Sequence, residues 1–598
     1  MDLYNNLKEK YEKESVKLKQ QSNSLVTKRT ISCLVAIIAI GYGMSNYHSF
    51  LSLTVVLLSS IAFVFYVRRS SQVQKLLKRT LCKVEINKRA LSRYEGTWTI
   101  FKNNGEEYID KSHPFSSDLD IFGKNSLFQF INESNTYYGS KILREILIPE
   151  ENHLPTILLR QEAVKEISQL RDFCENFKAE GMASEETSGD PHKLVDFLEE
   201  DESKTLFKLP YIKYIFTVFP IITWFLPVFG FITNNEFFTL LFVIFLGIQG
   251  CFFLLYLSRV NYILSRVYAL KKSINNFRAM IELVEAQKFD TSLNINMQKN
   301  LANTENLEGA AKCIKRLEVI SNFINIRYNS ILYLPLNVFF LWDFHCVFAL
   351  EDLKQSGGNN IRTWLKTLGF FEALTSIAIL PQMYPHWTYP EFGNKLEIEV
   401  TDLAHPLLDS DRVSNNFSFK NICIISGSNM SGKTTFLRTI GINQVLAYLG
   451  APVCASKYKT TILDIYTCMR IEDDLKQNIS TFYAELIRIK KIIDHAKNKT
   501  PMLFLIDEIF RGTNSIDRVD GAKQVLLQLN QPYIVGGITT HDLEVCSLAE
   551  GDSKFSNYHF SEYYEDDKIC FDYKIKEGIS TKRNAKYLMK IIGINVRI

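Results

Sequence analysis

The chain has 598 residues, of which 46% are hydrophobic, 13% aromatic and 22% charged, and its formal net charge is +4. That length calls for several hydrophobic cores, the apolar content excludes a disordered chain, and the near-balanced charge gives no global signal for nucleic acid, leaving only a local basic surface open. The 11 cysteines are scattered without a CxxC pair, which argues for reduced thiols in a cytosolic compartment and against a disulfide framework or a zinc site.

The chain opens on MDLYNNLKEKYEKESVKLKQ, which is charged and poor in heptads. It lacks the basic n-region and small-residue cleavage site of a signal peptide, so residues 1–29 read as a solvated, helix-compatible cytoplasmic tail. Four apolar runs follow in two pairs: Ile31–Tyr47 with Phe50–Val67, and Pro210–Ile232 with Phe237–Leu257. A membrane-spanning helix needs about 20 apolar residues. The fourth run meets this fully and the first pair stands at the short end. The third carries Lys213 near its start, where a long side chain can snorkel to the interface. Helices buried in a soluble core are the competing reading, and charge placement speaks against it. Lys28 and Arg29 precede the first run; Arg68, Arg69, Lys75, Lys78 and Arg79 follow the second; Arg259, Arg266, Lys271 and Lys272 follow the fourth. The turns near Asn46–His48 and Thr233–Glu236 hold neither Lys nor Arg. Hairpins at 30–67 and 209–257 with all ends on the cytoplasmic side satisfy the positive-inside rule. They predict a multi-pass cell-membrane protein, with two spans as the alternative count. The basic stretch Arg68–Arg93, inside a juxtamembrane helix and linker at 68–115, fits attraction to anionic membrane lipid better than contact with DNA.

Within Ser116–Phe173, Leu159, Ala163, Val164, Ile167 and Leu170 recur at helical spacing, with Gly139 and Pro149 as punctuation. This predicts a small helical domain over 116–208. Tyr262–Tyr333 is helical by pattern, Gln355–Asn360 is a loop, and Trp364–Leu380 resumes the helical period. Residues 258–384 therefore form a second helical region, closed by the linker that Pro381, Pro385 and Pro390 mark.

The strongest chemical signal lies in Ile422–Gly441, ICIISGSNMSGKTTFLRTIG. An apolar strand leads into GxxxxGKT from Gly427 to Thr434, and a helix follows, the one context in which such a loop can hold phosphate. Gly427 and Gly432 let the backbone curl so that N–H groups of Ser428, Asn429, Met430, Ser431 and their neighbours through Thr435 face phosphate oxygens, and the helix dipole adds to them. Lys433 should reach the β- and γ-phosphates of ATP, and Thr434 should ligate Mg²⁺ through its hydroxyl. Met502–Glu508 (MLFLIDE) is a buried-strand run ending in two carboxylates. Asp507 is expected to support Mg²⁺, and Glu508 to polarise the attacking water. A lone Asp-Glu pair is usually a solvated strand end and a lone His usually structural, but the upstream loop outweighs both. His541, in ITTH after the apolar strand YIVGGI, is expected to contact the γ-phosphate.

These segments carry a family resemblance. GSNMSGKTT, DDLKQNISTFYAE at Asp473–Glu485, DEIFRGTNSID at Asp507–Asp517 and TTHDLE resemble the MutS family's P-loop, signature segment, extended Walker B and His loop. His405–Phe419 is similar to the start of that family's nucleotide domain, with Asn415 or Asn416 at its characteristic Asn, and DLDIFGKNSLFQFINESNT with LLRQEAVKEI resembles the start of its core domain. The resemblance implies a dimer in which Ser480 contacts ATP held by the other subunit. It implies a fold of α-helical N-terminal and lever regions, here with transmembrane hairpins, and a C-terminal α/β P-loop domain of the ABC type over 385–598. The chain departs from the family where a mismatch-reading domain, a clamp insertion and an appended nuclease would stand. It is thus expected to be a membrane-anchored branch lacking the mismatch-recognition domain, with a role in DNA mismatch repair or another DNA transaction.

Two functions follow as expectations. The first is a membrane-tethered homodimeric ATPase coupling ATP binding and hydrolysis to DNA binding. The second is an ABC-type ATPase that moves a membrane or protein partner without DNA, although no LSGGQ-type signature is present and Lys213 is the single charge inside the spans. A degenerate scaffold is excluded because Lys433, Thr434, Asp507, Glu508 and His541 are all retained.

Overall fold

The computed structural model describes residues 1–45, 50–183, 195–196, 199, 210–269, 271–302, 309–329, 331–355, 360–408, 412–470, 481–510, 513–565 and 568–580. It has a helical N-terminal region and a C-terminal α/β domain.

Helices α1 (Asp2–Ser45) and α2 (Phe50–Tyr94) pair along their whole length. The pairing is antiparallel: Gly43 lies against Ser52 at one end, and the rings of Tyr4 and Tyr94 stand 6.1 Å apart at the other. The apolar halves expose residues such as Ile38, Phe50 and Leu58. The polar halves dock on the helical domain. The Tyr11 hydroxyl and the Asn87 amide both donate to Glu175, at 2.5 and 2.9 Å, and Arg79 pairs with Glu180. The expected solvated tail is therefore the first part of α1, with Tyr11 and Leu18 buried. The apolar pattern of α2 stops at Val67 but its helix does not, so the continuing helix gives the polar start of the chain a partner.

The helical domain comprises α3 (Leu127–Ile131), α4 (Tyr137–Leu147), α5 (Leu154–Gln169) and α6 (Arg171–Met182). Ser126 and Thr136 cap α3 and α4 by accepting from the amides of Gln129 and Gly139. A second hairpin, α7 (Pro210–Thr233) and α8 (Glu236–Ala269), follows. Inside it the rings of Phe219 and Phe245 stack at 4.9 Å, and Gln249 donates to the Thr223 hydroxyl at 2.9 Å. Next come α9 (Lys271–Ala286), α10 (Ser292–Lys299) and α11 (Ala310–Ile326). The short α12 (Tyr333–Phe340) and α13 (Trp342–Gln355) meet at a 75° bend around Leu341, whose φ is +51°. Helix α14 (Ile361–Ile377) crosses α4 so closely that a Cβ at Gly369 would lie 2.6 Å from the Tyr138 carbonyl carbon. The short α15 (Ile379–Met383) ends the region.

Among the described residues, five helices are able by length and composition to cross a membrane, and the four expected runs supply four of them. In those four, 6–17% of the apolar window is buried within the protein; in the fifth, Ile361–Met383, the figure is 83%. That contrast makes α14 and α15 the core of the helical domain and leaves the two hairpins with apolar faces turned outward.

The α/β domain holds two sheets. Strands β1 (Glu391–Phe392), β2 (Ile398–Leu403), β3 (Asn415–Phe419) and β5 (Lys457–Thr460) form a mixed sheet of order β1-β5-β2-β3. The larger sheet has the order β10-β9-β4-β8-β7-β6, with β4 (Ile422–Ser426), β6 (Asp464–Cys468), β7 (Met502–Asp507), β8 (Ile534–Thr540), β9 (Phe555–Glu565) and β10 (Lys568–Glu577). All its pairings are parallel except β10 on β9. Strands β4, β7 and β8 are buried on both faces, which explains why their sequences are continuous apolar runs. Helices α16 (Lys433–Tyr448), α17 (Thr481–Ala496) and α18 (Ser515–Leu529) complete the domain.

Candidate functional site

Parallel strands end their backbones at one edge of the sheet, and ligands gather there. Segment 427–432 leaves β4 at that edge and delivers the chain into α16. Its two turns need glycine. Gly427 has φ +151° and Gly432 +103°; a Cβ at Gly427 would sit 2.9 Å from the Phe560 carbonyl oxygen, and one at Gly432 would sit 3.1 Å from the Tyr573 ring. Met430, at the tip, has φ +65° and is 85% exposed. The Ser431 hydroxyl donates to the Ser428 carbonyl at 2.8 Å. Lys433 folds back under the loop, its Nζ donating to the carbonyls of Gly427 (2.9 Å) and Ser428 (2.8 Å).

Asp507 ends β7 beside β8, so the Thr539 hydroxyl of β8 donates to it at 2.5 Å and the Thr434 hydroxyl of α16 at 2.9 Å. Glu508 has φ +48°, and its amide is held by Thr539. This sparsely populated backbone conformation turns its carboxylate toward the loop. There it lies 2.6 Å from His541 Nε2 and 4.0 Å from Lys433 Nζ. His541 also contacts Asn429 Oδ1 at 2.7 Å. The structure thus brings together Asn429, Lys433, Thr434, Asp507, Glu508 and His541, which lie far apart in sequence. Ser480 falls outside the described residues.

Beside this cluster opens a cleft of about 460 Å³, within the usual size range of small-molecule sites. Met430, Ser431, Gly432, Lys433, Thr434, Thr435 and Glu508 line one side; Leu403, His405, Leu408, Arg412, Asn415 and Tyr573 line the other. Burial, with Arg438 and Arg412 near, pushes His405 down to about 4, so its ring is neutral at pH 7. Asn415 is buried and clamps β10, donating to the Tyr573 carbonyl at 3.0 Å and accepting from the Ile575 amide at 2.9 Å. Asn416 instead accepts from the Asp402 amide. Of the two candidate asparagines, Asn415 is therefore the one at the cleft.

Further side chains brace the site. The buried Glu562 accepts from the Ser428 hydroxyl at 2.8 Å. Arg518 of α18 grips Asp542 through two bonds of 2.6 and 2.9 Å and so steadies the residue after His541. Glu485, the last residue of the signature pattern, is buried and accepts from the Phe510 amide at 2.5 Å, tying α17 to the turn after Glu508.

Asp118 and Asp120 form a seam with the helical domain. Asp118, 1% exposed, accepts from the Thr467 hydroxyl (2.8 Å), the Met469 and Arg470 amides (3.0 and 3.1 Å) and Arg488 of α17 (2.9 Å). Asp120 pairs with Arg470 and with Arg438 of α16, the latter at 3.1 Å. One short acidic segment therefore touches both the helix that follows the glycine-rich loop and the helix that follows the signature segment.

The family model for MutS domain V matches residues 423–597. A DNA mismatch repair protein MutS from Persephonella marina is 29% identical over 239 residues, covering 39% of this chain and 27% of that protein. One from Streptococcus uberis is 28% identical over 248 residues, covering 40% of this chain and 29% of that protein. The chain thus spans less than a third of the length of these curated relatives. The match lies in the domain that carries the cluster: residues 423–597 fit MutS domain V.

Proposed function

We propose that this protein is a membrane-tethered MutS-family ATPase that couples ATP binding and hydrolysis in a homodimer to DNA binding. The observation that carries the reading is the meeting of Lys433, Thr434 and Glu508 on one cleft wall, with Asp507 bonded to Thr434 and His541 to Glu508. The residues present fit a nucleotide with Mg²⁺. The loop is a cradle that a Cβ at Gly427 or Gly432 would fill, and a hydroxyl beside a carboxylate (Thr434 and Asp507) is a hard-oxygen donor set. Mg²⁺ held there supplies charge neutralisation to the phosphates.

In this reading the loop amides and Lys433 bind and orient the triphosphate, and the cleft wall holding Tyr573 and Asn415 receives the base. Glu508 orients the attacking water and draws its proton as the terminal P–O bond breaks. His541, already in contact with Glu508, faces the γ-phosphate and relays its loss to Asn429. Ser480 acts in trans on ATP held by the partner subunit, closing the dimer. The domain limits follow the expected ones: hairpins near 30–67 and 209–257, helical regions at 116–208 and 258–384, and the ATPase domain from 385. The outward apolar faces of the hairpins support a multi-pass anchoring in the cell membrane with the ATPase domain in the cytoplasm.

One observation favours a second reading, an ATPase acting on a membrane or protein partner without DNA. The hairpin α7–α8 packs directly on α11, α12 and α13, so movement of the helical region reaches the bilayer. Steady-state ATPase of the detergent-purified full chain, without DNA and with homoduplex, mismatched or branched DNA over a salt series, separates the two. Stimulation that falls steeply with salt supports phosphate contacts and the first reading. Lys433-dependent turnover indifferent to every DNA supports the second. Turnover that survives Lys433→Ala refutes both.

A further inference from the structure

No charged residue lies between Arg327 and Asp343, yet the stretch is shorter than a membrane span. Its placement gives it a role. Helix α12 lies along the second hairpin: the Tyr333 ring stands 5.8 Å from Phe253, and those of Phe339 and Phe340 stand 5.5 and 5.9 Å from Trp224. In the hairpin Phe216 faces Phe252, so Phe253 lies near the level of Lys213, where Lys213 pairs with Asp352 of α13 at 2.5 Å. Trp224 is eleven residues beyond Lys213 on α7, about 16 Å at 1.5 Å per residue. That is half of a hydrocarbon core about 30 Å thick.

A helix break at such depth is tolerated only where protein satisfies the freed backbone groups. Here it does. Asn337, fully buried, accepts from the Asp343 amide at 3.0 Å and donates to the Tyr333 carbonyl at 3.0 Å, while its own carbonyl takes the Leu341 amide at 3.1 Å. Arg327 and Asp343 pair at 3.2 Å, their side chains 7% and 2% exposed. The opposite side is apolar and open: Ile331 is 82% exposed, Leu334 58% and Phe340 45%. An apolar surface continuous with a membrane hairpin, backed by the Asn337 bonds and the Arg327–Asp343 pair, matches lipid.

We propose that residues 331–341 form a re-entrant element that enters the cytoplasmic leaflet beside α7–α8, turns at Leu341 within that leaflet and returns as α13, with acyl chains as its occupant. This rests on the membrane reading of the hairpins. The test uses the full chain with Cys33→Ala and Cys251→Ala, reconstituted in phosphatidylcholine–phosphatidylglycerol vesicles and spin-labelled at Leu334→Cys or, as a second variant at a more open position, Ile331→Cys. Controls are Val228→Cys on α7 and Leu527→Cys on α18. Collision with oxygen exceeding collision with a water-soluble nickel chelate several-fold at 331, 334 and 228, and the reverse at 527, is the expected result. Water-like values at 331 and 334 with lipid-like values at 228 overturn the inference and leave the hairpins in the membrane. Water-like values at 228 as well overturn both. Spin–spin broadening at 331 or 334 that vanishes on dilution with unlabelled protein assigns the face to a second copy and also overturns it.

Discussion

In the α/β domain, Lys433, Thr434, Asp507, Glu508 and His541 stand at one edge of a sheet, and Lys433, Thr434 and Glu508 line a cleft. In the helical region, Arg93, Glu133, Lys178 and Glu372 are more deeply buried than Glu508 or His541 but face only protein. Burial alone raises the pKa of Glu133, yet Arg89, Arg93 and Lys178 overrule it and hold that carboxyl at about 2. A buried pair of this kind gains little net stability, because desolvation offsets attraction, but removing one partner is costly. Depth of burial therefore does not mark function in this molecule. What distinguishes the α/β cluster is convergence on open space, at backbone positions as unusual as Glu508 and Phe510, with φ of +48° and +61°. The comparison predicts two classes of variant: loss of turnover at unchanged stability from one region, and loss of stability at unchanged turnover per folded molecule from the other.

The largest effect is expected from Lys433→Ala. It removes the cation under the loop, and both equilibrium binding of a fluorescent ATP analogue and turnover should fall by at least ~10²-fold, the scale of losing a single charge-stabilising donor, with the melting temperature unchanged. Glu508→Ala comes next. Turnover should drop by about 10²–10⁴-fold, as for loss of a general base, while nucleotide binding persists and the dimer accumulates. Equal turnover in wild type and Glu508→Ala rules out its role. The seam is where the comparison breaks, because Asp118 belongs to both regions. Asp118→Ala strands Arg488 and two amides and should cost about 3 kcal/mol in denaturant unfolding. It should also lower turnover per folded molecule, since α17 loses its tie to the helical domain. Destabilisation with normal turnover makes the seam merely structural.

The sequence was most legible where chemistry is local. GSNMSGKTT and MLFLIDE place loop, strand end and helix start within a few residues of one another, so their geometry follows from short-range rules. Tyr573, Glu562 and Asp118 act across separations of more than a hundred residues, as in the Ser428–Glu562 bond, and no spacing announces them. Among helices, an apolar run of span length was visible, while its environment was not. The same periodicity yields an outward face in α7 and a buried core in α14. The start of the chain read as solvated because its partner, the polar half of α2, lies beyond the apolar run that drew attention. The elbow at Leu341 was missed because its charge-free stretch is shorter than a span and passes for ordinary helix.

A smaller effect sharpens the comparison through pH. Glu372 is buried on α14, where it accepts from Thr136 and the Asn135 amide. Burial outweighs these bonds and pushes its pKa from 4.5 up to about 7. A carboxyl that keeps its proton longer when folded contributes stability in full below pH 4.5, and that contribution is lost as pH rises through about 7. The interval corresponds to about 3 kcal/mol at 1.36 kcal/mol per pH unit. Glu372→Gln, neutral at every pH, should flatten the stability of the helical domain between pH 5 and 8 and leave ATP turnover unchanged. A variant as pH-dependent as wild type contradicts the assignment.

The smallest expected effect returns to the cleft. Tyr573 stands on its wall at φ +52°, its ring against Gly432 and its carbonyl fixed by Asn415. An aromatic face held so rigidly suits stacking on a planar base, worth about 1–3 kcal/mol per base by alanine substitution. Tyr573→Ala should therefore raise KM for ATP roughly tenfold at nearly constant kcat, because the base is bound alike in ground and transition states. Tyr573→Phe keeps the ring and should restore KM. A fall in kcat with KM unchanged would instead mean that the ring props the loop through Gly432, and the two variants together distinguish a residue that holds the base from one that shapes the phosphate cradle.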